Sequence, residues 1–431
     1  MQSDLSGMTR PEEDPGAEAG TAPGRTRIRE GVIRHTGTLA AIALTAAYIL
    51  AAPYIEPPFI LAILVIVFSG ILYLIRGTRA ISISIIILAI LYGLGWLPLL
   101  IFVTTLGIVV AGELAYRANE RGHHRYLTYF AASAAGGAFA MLSLGHRDAL
   151  LLIIGAVVAV LLKSVLGERN DVLMVEGLGV AMTMYLFQDL NYQVPARILI
   201  TAILVAFTFA YFAYRFRVAD VSGLFSGALV GIILIVFADV RWFLVMLAFL
   251  ILGSAATRYR FEMKAAAGLA ESHGGVRGYV NVFANGLVGV AAAVLYGLSG
   301  GNPLALALFM GSVATAAADT LGGEIGMTSG EPVLITTLRP VPKGTNGGVT
   351  LVGEAASLAA AAVIALTGYL LGLGDTALLA AAALAGFLGS NVDSVVGALF
   401  ENQGFIGNAG TNLAATLSGG LIAAGLFLSL G

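Results

Sequence analysis

The sequence predicts an all-α, polytopic transmembrane helical bundle of about 15 spans, with the N-terminus in the cytoplasm. Three observations predict it. Hydrophobic residues make up 58% of the chain and charged residues only 11%, where a soluble domain carries about a quarter charged. From residue 36 onward, apolar runs of about 17 to 22 residues succeed one another with short polar breaks, the length a helix needs to cross the hydrocarbon core. The cations alternate: all but three of the 23 lysines and arginines fall in every second break, which the positive-inside rule assigns to the cytoplasm. A β-barrel would show short alternating strands in place of such runs.

Residues 1–35 precede the first run. They are rich in Gly, Pro, Glu and Arg, a composition unable to bury a core, and are expected to form a disordered cytoplasmic tail. Its basic end (Arg25, Arg27, Arg29, Arg34) precedes what reads as a signal anchor, since further apolar runs follow. Runs at 37–54 and 57–75 return the chain inward at Arg76 and Arg79. The pair 80–94 and 96–115 ends at Arg117, Arg121 and Arg125, and the pair 127–145 and 148–166 at Lys163 and Arg169. A short, Gly-rich run at 173–188 and another at 196–213 lead to Arg215 and Arg217. Runs 222–238 and 240–256 lead to Arg258, Arg260, Lys264 and Arg277. Runs 279–298 and 302–319 lead to the loop that holds Arg339 and Lys343, and 351–372, 376–391 and 411–430 complete the set. Arg147, Arg197 and Arg241 fall on the opposite side.

The chain has no cysteine, which excludes disulfides, thiolate metal sites and a cysteine nucleophile. A net charge of −2 gives no reason to expect nucleic acid.

The three polar stretches richest in chemistry, 255–278, 319–350 and 391–410, all fall on the predicted cytoplasmic side, where nucleotides and Mg²⁺ are available. Asp319 ends an apolar run and Glu324 follows Gly322-Gly323. On an unbroken helix the two would diverge by roughly 140°; a break at the glycine pair would turn both carboxylates onto one ion. A solvated helix end is the plainer alternative. The run Lys343-Gly344-Thr345-Asn346-Gly347-Gly348 has the ingredients of a phosphate cradle, since glycines let backbone N–H groups approach an anion. It is not a Walker A sequence, and a Gly-rich connector opened by Pro340 and Pro342 competes with that reading. In the third stretch, Asp393 and Glu401 are candidates to complete a metal shell, with Asn391, Asn408 and Asn412 placing polar groups or joining helices. In the first, Arg258, Arg260, Lys264 and Arg277 read either as the positive-inside signal or as a lipid-headgroup contact, while Asn285 lies inside a span. Glu176, near the start of its run, is the conspicuous acid of the first half. The five histidines show no metal-ligand spacing with another ligand.

Four motifs in this order, Val282-Phe283-Ala284-Asn285-Gly286, A-D-T-L-G-G-E-I-G around Asp319, V-P-K-G-T-N-G-G-V around Lys343 and D-S-V-V-G-A-L-F-E-N from Asp393, resemble the plant phytyl-phosphate kinase family. That family includes the animal transmembrane protein 19 and many archaeal and bacterial membrane proteins, and is distantly similar to dolichol and phytol kinases and CDP-diacylglycerol synthases. The resemblance covers roughly residues 205–431 and implies a catalytic transmembrane domain there, leaving 36–204 as an N-terminal transmembrane block of unassigned role. It implies transfer of the terminal phosphate of CTP, or another nucleoside triphosphate, to an isoprenoid monophosphate (phytyl, geranylgeranyl or polyprenyl). By that likeness Asp319, Glu324 and Asp393 hold Mg²⁺. Lys343 and the loop Gly344, Thr345, Asn346, Gly347 and Gly348 hold the donor phosphates, and Lys264, Arg277, Asn285 and Arg339 add nucleotide and phosphate contacts. Asp319, Glu324, Lys343 and Asp393 are thus the expected catalytic set.

Glu354 stands where the bacterial pattern often has a small or hydroxyl residue, and Glu401-Asn402 replaces the commoner glutamine-containing ending. The expected setting is the plasma membrane with the site facing the cytoplasm and the lipid substrate drawn from the bilayer. Two alternatives share the sequence features: a CTP-dependent lipid cytidylyltransferase, and a transporter whose Gly-broken spans and buried Asp and Asn line a solute path.

Overall fold

A computed structural model describes residues 37, 39–75, 77–119, 124–167 and 172–430. The expected tail at 1–35 with its arginines, and Arg76, Arg121 and Arg169, lie outside the described residues. Each of the fifteen apolar runs holds a helix. In order these are α1 (Leu39–Tyr54), α2 (Pro58–Tyr73), α3 (Arg79–Gly93), α4 (Leu99–Ala118), α5 (Arg125–Ser143), α6 (Ala149–Leu166), α7 (Val172–Leu190), α8 (Ala196–Arg215), α9 (Val221–Phe237), α10 (Val240–Arg258), α12 (Tyr279–Leu298), α13 (Pro303–Gly326), α14 (Leu351–Leu370), α15 (Thr376–Val396) and α16 (Asn408–Leu430). A one-turn helix, α11 (Phe261–Ala266), and a two-stranded hairpin, β1 (Val333–Leu334) and β2 (Gly348–Val349), form inside stretches read as loops. Among the described residues, nine helices are long and apolar enough to cross a membrane, while α1, α2, α3 and α9 are apolar but shorter. The chain is an integral, multi-pass helical membrane protein.

Two helices act as hubs. In the first half α4 packs against α3, α5, α6 and α7, and 83% of its apolar stretch is buried. In the second half α13 is surrounded by α10, α12, α14, α15 and α16. Its middle reads Gly311-Ser312-Val313-Ala314-Thr315-Ala316-Ala317-Ala318, and such small side chains let neighbouring helices approach closely where lipid supplies no hydrophobic drive. The two halves meet where α9 packs on α6 as well as on α8, α10 and α12.

Several of the chain's scarce polar residues end helices. Asp148, Asp220, Asp239, Asn302, Thr350 and Asp375 each accept a hydrogen bond from a first-turn backbone N–H of α6, α9, α10, α13, α14 and α15, satisfying donors that a helix leaves unpaired. At 24 residues, α13 is roughly 36 Å long, more than the ~30 Å hydrocarbon core. Its C-terminal turns, which carry Asp319 and Glu324, therefore reach the edge of the bundle.

Candidate functional site

One polar cavity of about 330 Å³ opens at that edge. It gathers residues from α12 (Asn281, Asn285), α13 (Asp319, Thr320, Glu324), the hairpin loop (Lys343 to Val349), α14 (Glu354, Ser357), α15 (Ser390, Asp393, Ser394) and α16 (Asn408, Asn412), with Glu271, Arg277 and Glu401. The polar stretches that are far apart in sequence meet in space.

The acidic part is a pair. The carboxyl groups of Asp319 and Asp393 lie within hydrogen-bonding reach of each other, and Glu401 is close enough to act on both electrostatically. Oδ1 of Asp393 is buried with no hydrogen-bond partner. Facing carboxylates repel unless a proton or a cation lies between them, and oxygen donors of this kind suit a hard divalent cation. The pair therefore fits Mg²⁺. Asp393 reaches this position because α15 runs to Val396 and continues as a π-helical turn, Gly397–Glu401; the sequence reading ended that helix at 391, and the structure corrects it.

Glu324 departs from expectation. Helix α13 passes through Gly322-Gly323 without a break, so Glu324 points away from Asp319, and Lys264 Nζ donates to Glu324 Oε2. Gly322 serves packing instead: a Cβ there would fall 2.0 Å from Ser357 Oγ, which donates to the Ala318 carbonyl at 2.8 Å and lies 3.2 Å from Ser390 Oγ. Among the described residues no three His, Cys, Asp or Glu side chains group as a metal centre; of the expected Asp319, Glu324 and Asp393, the two aspartates face each other and Glu324 is engaged by Lys264.

The cations sort in the same way. Lys264 is 1% exposed; its ammonium is held by Glu324 and by the carbonyls of Thr257 (2.8 Å) and Ala256 (3.3 Å), and it does not line the cavity. Arg339 is exposed in the hairpin and is likewise absent from the lining. Lys264 is thus engaged within the wall, and Arg339 stands outside it. Lys343 is exposed at the cavity rim, and Arg277 is buried in its wall.

Arg277 is fixed by its backbone. Its N–H donates to the Val218 carbonyl (2.8 Å) and its carbonyl accepts from Asp220 N–H (3.2 Å), clamping it to the turn between α8 and α9. Gly253 leaves room for the guanidinium, since a Cβ there would lie 2.6 Å from Nη2. Nε is buried without a partner. Burial lowers the affinity of Arg277 for its proton, opposed by the negative charges of Glu271 and Glu324. Asn285 Nδ2 donates to the Asn281 carbonyl at 3.0 Å, and Asn412 Oδ1 is buried and unpaired.

The glycine loop is built as a turn across the cavity mouth. Thr345 N–H and Oγ1 both donate to the Pro342 carbonyl (3.2 and 2.7 Å), and Gly348 N–H donates to the Thr345 carbonyl at 2.9 Å. The amides of Gly344, Asn346 and Gly347 make no hydrogen bond among the described residues, so they remain available to an anion. Gly347 has φ +78°, and a Cβ there would fall 2.4 Å from the Ser394 carbonyl; only glycine fits. Asn402 Nδ2 ties the loop to the end of α15 through the Asn346 carbonyl at 2.9 Å.

Sequence reasoning did not assign Glu271, Asn281 or Ser390 to the site. Asn281 and Asn285, like Asn408 and Asn412, stand four residues apart on otherwise apolar helices; that spacing puts each pair on one face and was the available signal.

Comparison with known proteins places this architecture. Residues 204–420 match the model of the family described as integral membrane protein DUF92, and the chain belongs to that family. It is 36% identical over 233 residues to uncharacterized membrane protein MJ0933 of Methanocaldococcus jannaschii, covering 54% of this chain and 95% of that one. Protein PGR of Arabidopsis thaliana is 33% identical over 232 residues (48% of this chain, 80% of the relative). Protein VTE6, chloroplastic, of the same plant is 32% identical over 166 residues (37% of this chain, half of the relative). No solved structure matches. The family suspected from the four motifs is the one found.

Proposed function

We propose that this protein is an integral membrane phosphotransferase that moves the terminal phosphate of CTP, or another nucleoside triphosphate, to an isoprenoid monophosphate and yields the diphosphate. The observation that carries the proposal is the facing pair Asp319 and Asp393, one oxygen of it buried and unpaired, in a cavity shared with Arg277, Lys343 and the glycine loop. Carboxylates opposite cations and free backbone amides suit a polyphosphate and its metal better than any uncharged substrate. Residues 205–431 are proposed as the catalytic part and 36–204 as a separate block. The cation distribution supports a cavity on the cytoplasmic side, and the plasma membrane is the proposed setting.

In this reading Asp319 and Asp393 are the residues that would hold Mg²⁺, which when bound neutralises charge on the donor phosphates. Lys343 and the amides of Gly344, Asn346 and Gly347 hold the donor. Arg277 holds the phosphate of the acceptor. An acceptor oxygen forms the new bond to the γ-phosphorus, the bond from that phosphorus to the β–γ bridging oxygen breaks, and the nucleoside diphosphate leaves with the electron pair. An acceptor that is already an anionic phosphate needs no protein base, so catalysis rests on positioning and electrostatics.

The test is the fate of two labels. Full-length protein in nanodiscs is supplied with Mg²⁺, geranylgeranyl phosphate and CTP labelled at the α- or γ-phosphate. Label from the γ-position in the lipid is the expected result. Label from the α-position establishes a cytidylyltransferase in its place, and no lipid label from any nucleotide overturns group transfer and favours transport.

A further inference from the structure

A second cavity meets the first. A narrow slot of about 90 Å³ runs between α8, α9, α10 and α12, and Arg277 and Asn281 line both spaces. Among the described residues they are the slot's only polar ones; all others are Ala, Gly, Val, Leu, Met or Phe. Along α9 the wall extends from Gly223 to Gly231, roughly 12 Å at 1.5 Å per residue, most of one leaflet's half of the ~30 Å hydrocarbon core. The slot thus starts at the polar cavity and dips into the membrane.

Its width is set by small residues. A Cβ added at Gly227 would meet nothing within 4 Å, and one at Gly286 would meet only Met246 Cε at 4.0 Å. These glycines do not serve helix contact, unlike Gly231, where a Cβ would fall 2.9 Å from Ala206 Cβ. At the junction stands the buried guanidinium of Arg277 with its unpaired Nε, over the Phe249 ring at 5.4 Å. A buried donor without a partner is rare in folded proteins, and a guanidinium is the group best matched to a phosphate.

We infer that this slot holds the hydrocarbon tail of a single-chain lipid monophosphate, with Arg277 gripping the phosphate where slot and polar cavity join. The inference rests on the proposed transfer reaction for its purpose but not for its evidence. An apolar channel ending on a cation with an unpaired Nε, open to the donor cavity, places an amphiphile in one orientation only: phosphate at Arg277, tail along α9 into the membrane. Asn281, on the first turns of α12, borders the same junction and positions the headgroup.

The experiment uses the full chain in nanodiscs of phosphatidylcholine and a geranyl monophosphate analogue carrying a terminal diazirine, its tail short enough to end inside the slot. After illumination, adducts are mapped by mass spectrometry. Adducts concentrated on α8, α9, α10 and α12 at the slot, and cut at least tenfold in Gly227→Leu and Gly286→Leu, are the expected result. The two variants replace helical glycines with a better helix former at open positions, so their thermal transitions should match the parent. Adducts spread over the outer, lipid-facing surface, or slot adducts unchanged in both variants, overturn the inference. Competition by excess dioleoyl phosphatidic acid as strong as by unlabelled geranylgeranyl phosphate overturns the single-chain assignment. Because labelling needs no turnover, a failed transfer assay with intact slot labelling counts against the reaction alone, and active transfer with scattered labelling counts against the slot alone.

Discussion

Both halves of the molecule bury charge, and they differ in whether a cavity reaches it. In the first half, Glu113 of α4 accepts from Lys163 Nζ (2.6 Å) and Arg117 Nε (2.5 Å), Lys163 also lies 4.5 Å from the Tyr116 ring centroid, and Glu176 of α7 accepts from Tyr129 through Oε1 while its Oε2 is buried without a partner. These groups pair across α4, α5, α6 and α7, and none of them lines the polar cavity or the apolar slot. In the second half, Lys264 and Glu324 form a closed pair at the cavity wall, while Asp393 and Arg277 line the same cavity, each with a buried polar atom that has no partner, beside Asp319. Buried charge in a membrane helix is often taken as a mark of function. Here the sharper mark is buried charge that no protein group satisfies and that a cavity reaches.

That contrast can be broken at its strongest point first. Asp319→Asn or Asp393→Asn should lower γ-phosphate transfer about 10²–10³-fold while the thermal transition holds or rises, since a repulsion is removed; a transfer rate within twofold of the parent would place the chemistry elsewhere. Next come the closed pairs. Lys264→Met strands Glu324 and should cost about 3–5 kcal/mol of stability, and the double change Lys264→Met with Glu324→Gln should recover most of it in detergent unfolding. Lys163→Met should also destabilise, by less, because Arg117 still neutralises Glu113; neither single change should alter turnover per folded molecule. Gly347→Ala forces a side chain into a left-handed backbone and should cost about 1–2 kcal/mol, read as a roughly tenfold rise in the KM for the nucleotide. Arg339→Ala, at an exposed position outside the cavity, should leave both constants unchanged.

Much of the fold was legible because bilayer physics writes itself into local composition. Fifteen apolar runs became fifteen helices, with ends displaced by a few residues where caps such as Thr350 and Asp220 decide. The cavity was legible in part for the same reason: in an apolar chain each polar residue stands out, so Asp319, Asp393, Arg277, Lys343 and the loop through Gly348 were all visible and line one space. Pairing was not. Lys264 and Glu324 are 60 residues apart, and nothing local shows that each consumes the other. The Gly322-Gly323 pair read as a hinge because glycine permits one, yet Gly322 packs on Ser357 of another helix. The slot was illegible for a similar reason, since its wall alternates among four helices whose adjacency is a tertiary fact.

The central claim, that the Asp319–Asp393 pair is an open cation and polyphosphate site while the Glu113 cluster is closed, is tested most directly by Mn²⁺ binding. Electron paramagnetic resonance would follow Mn²⁺ titrated into the full-length protein with CTP present. The account predicts tight binding that is lost in Asp393→Asn and kept in Glu113→Gln. Equal binding in Asp393→Asn and the parent would contradict it.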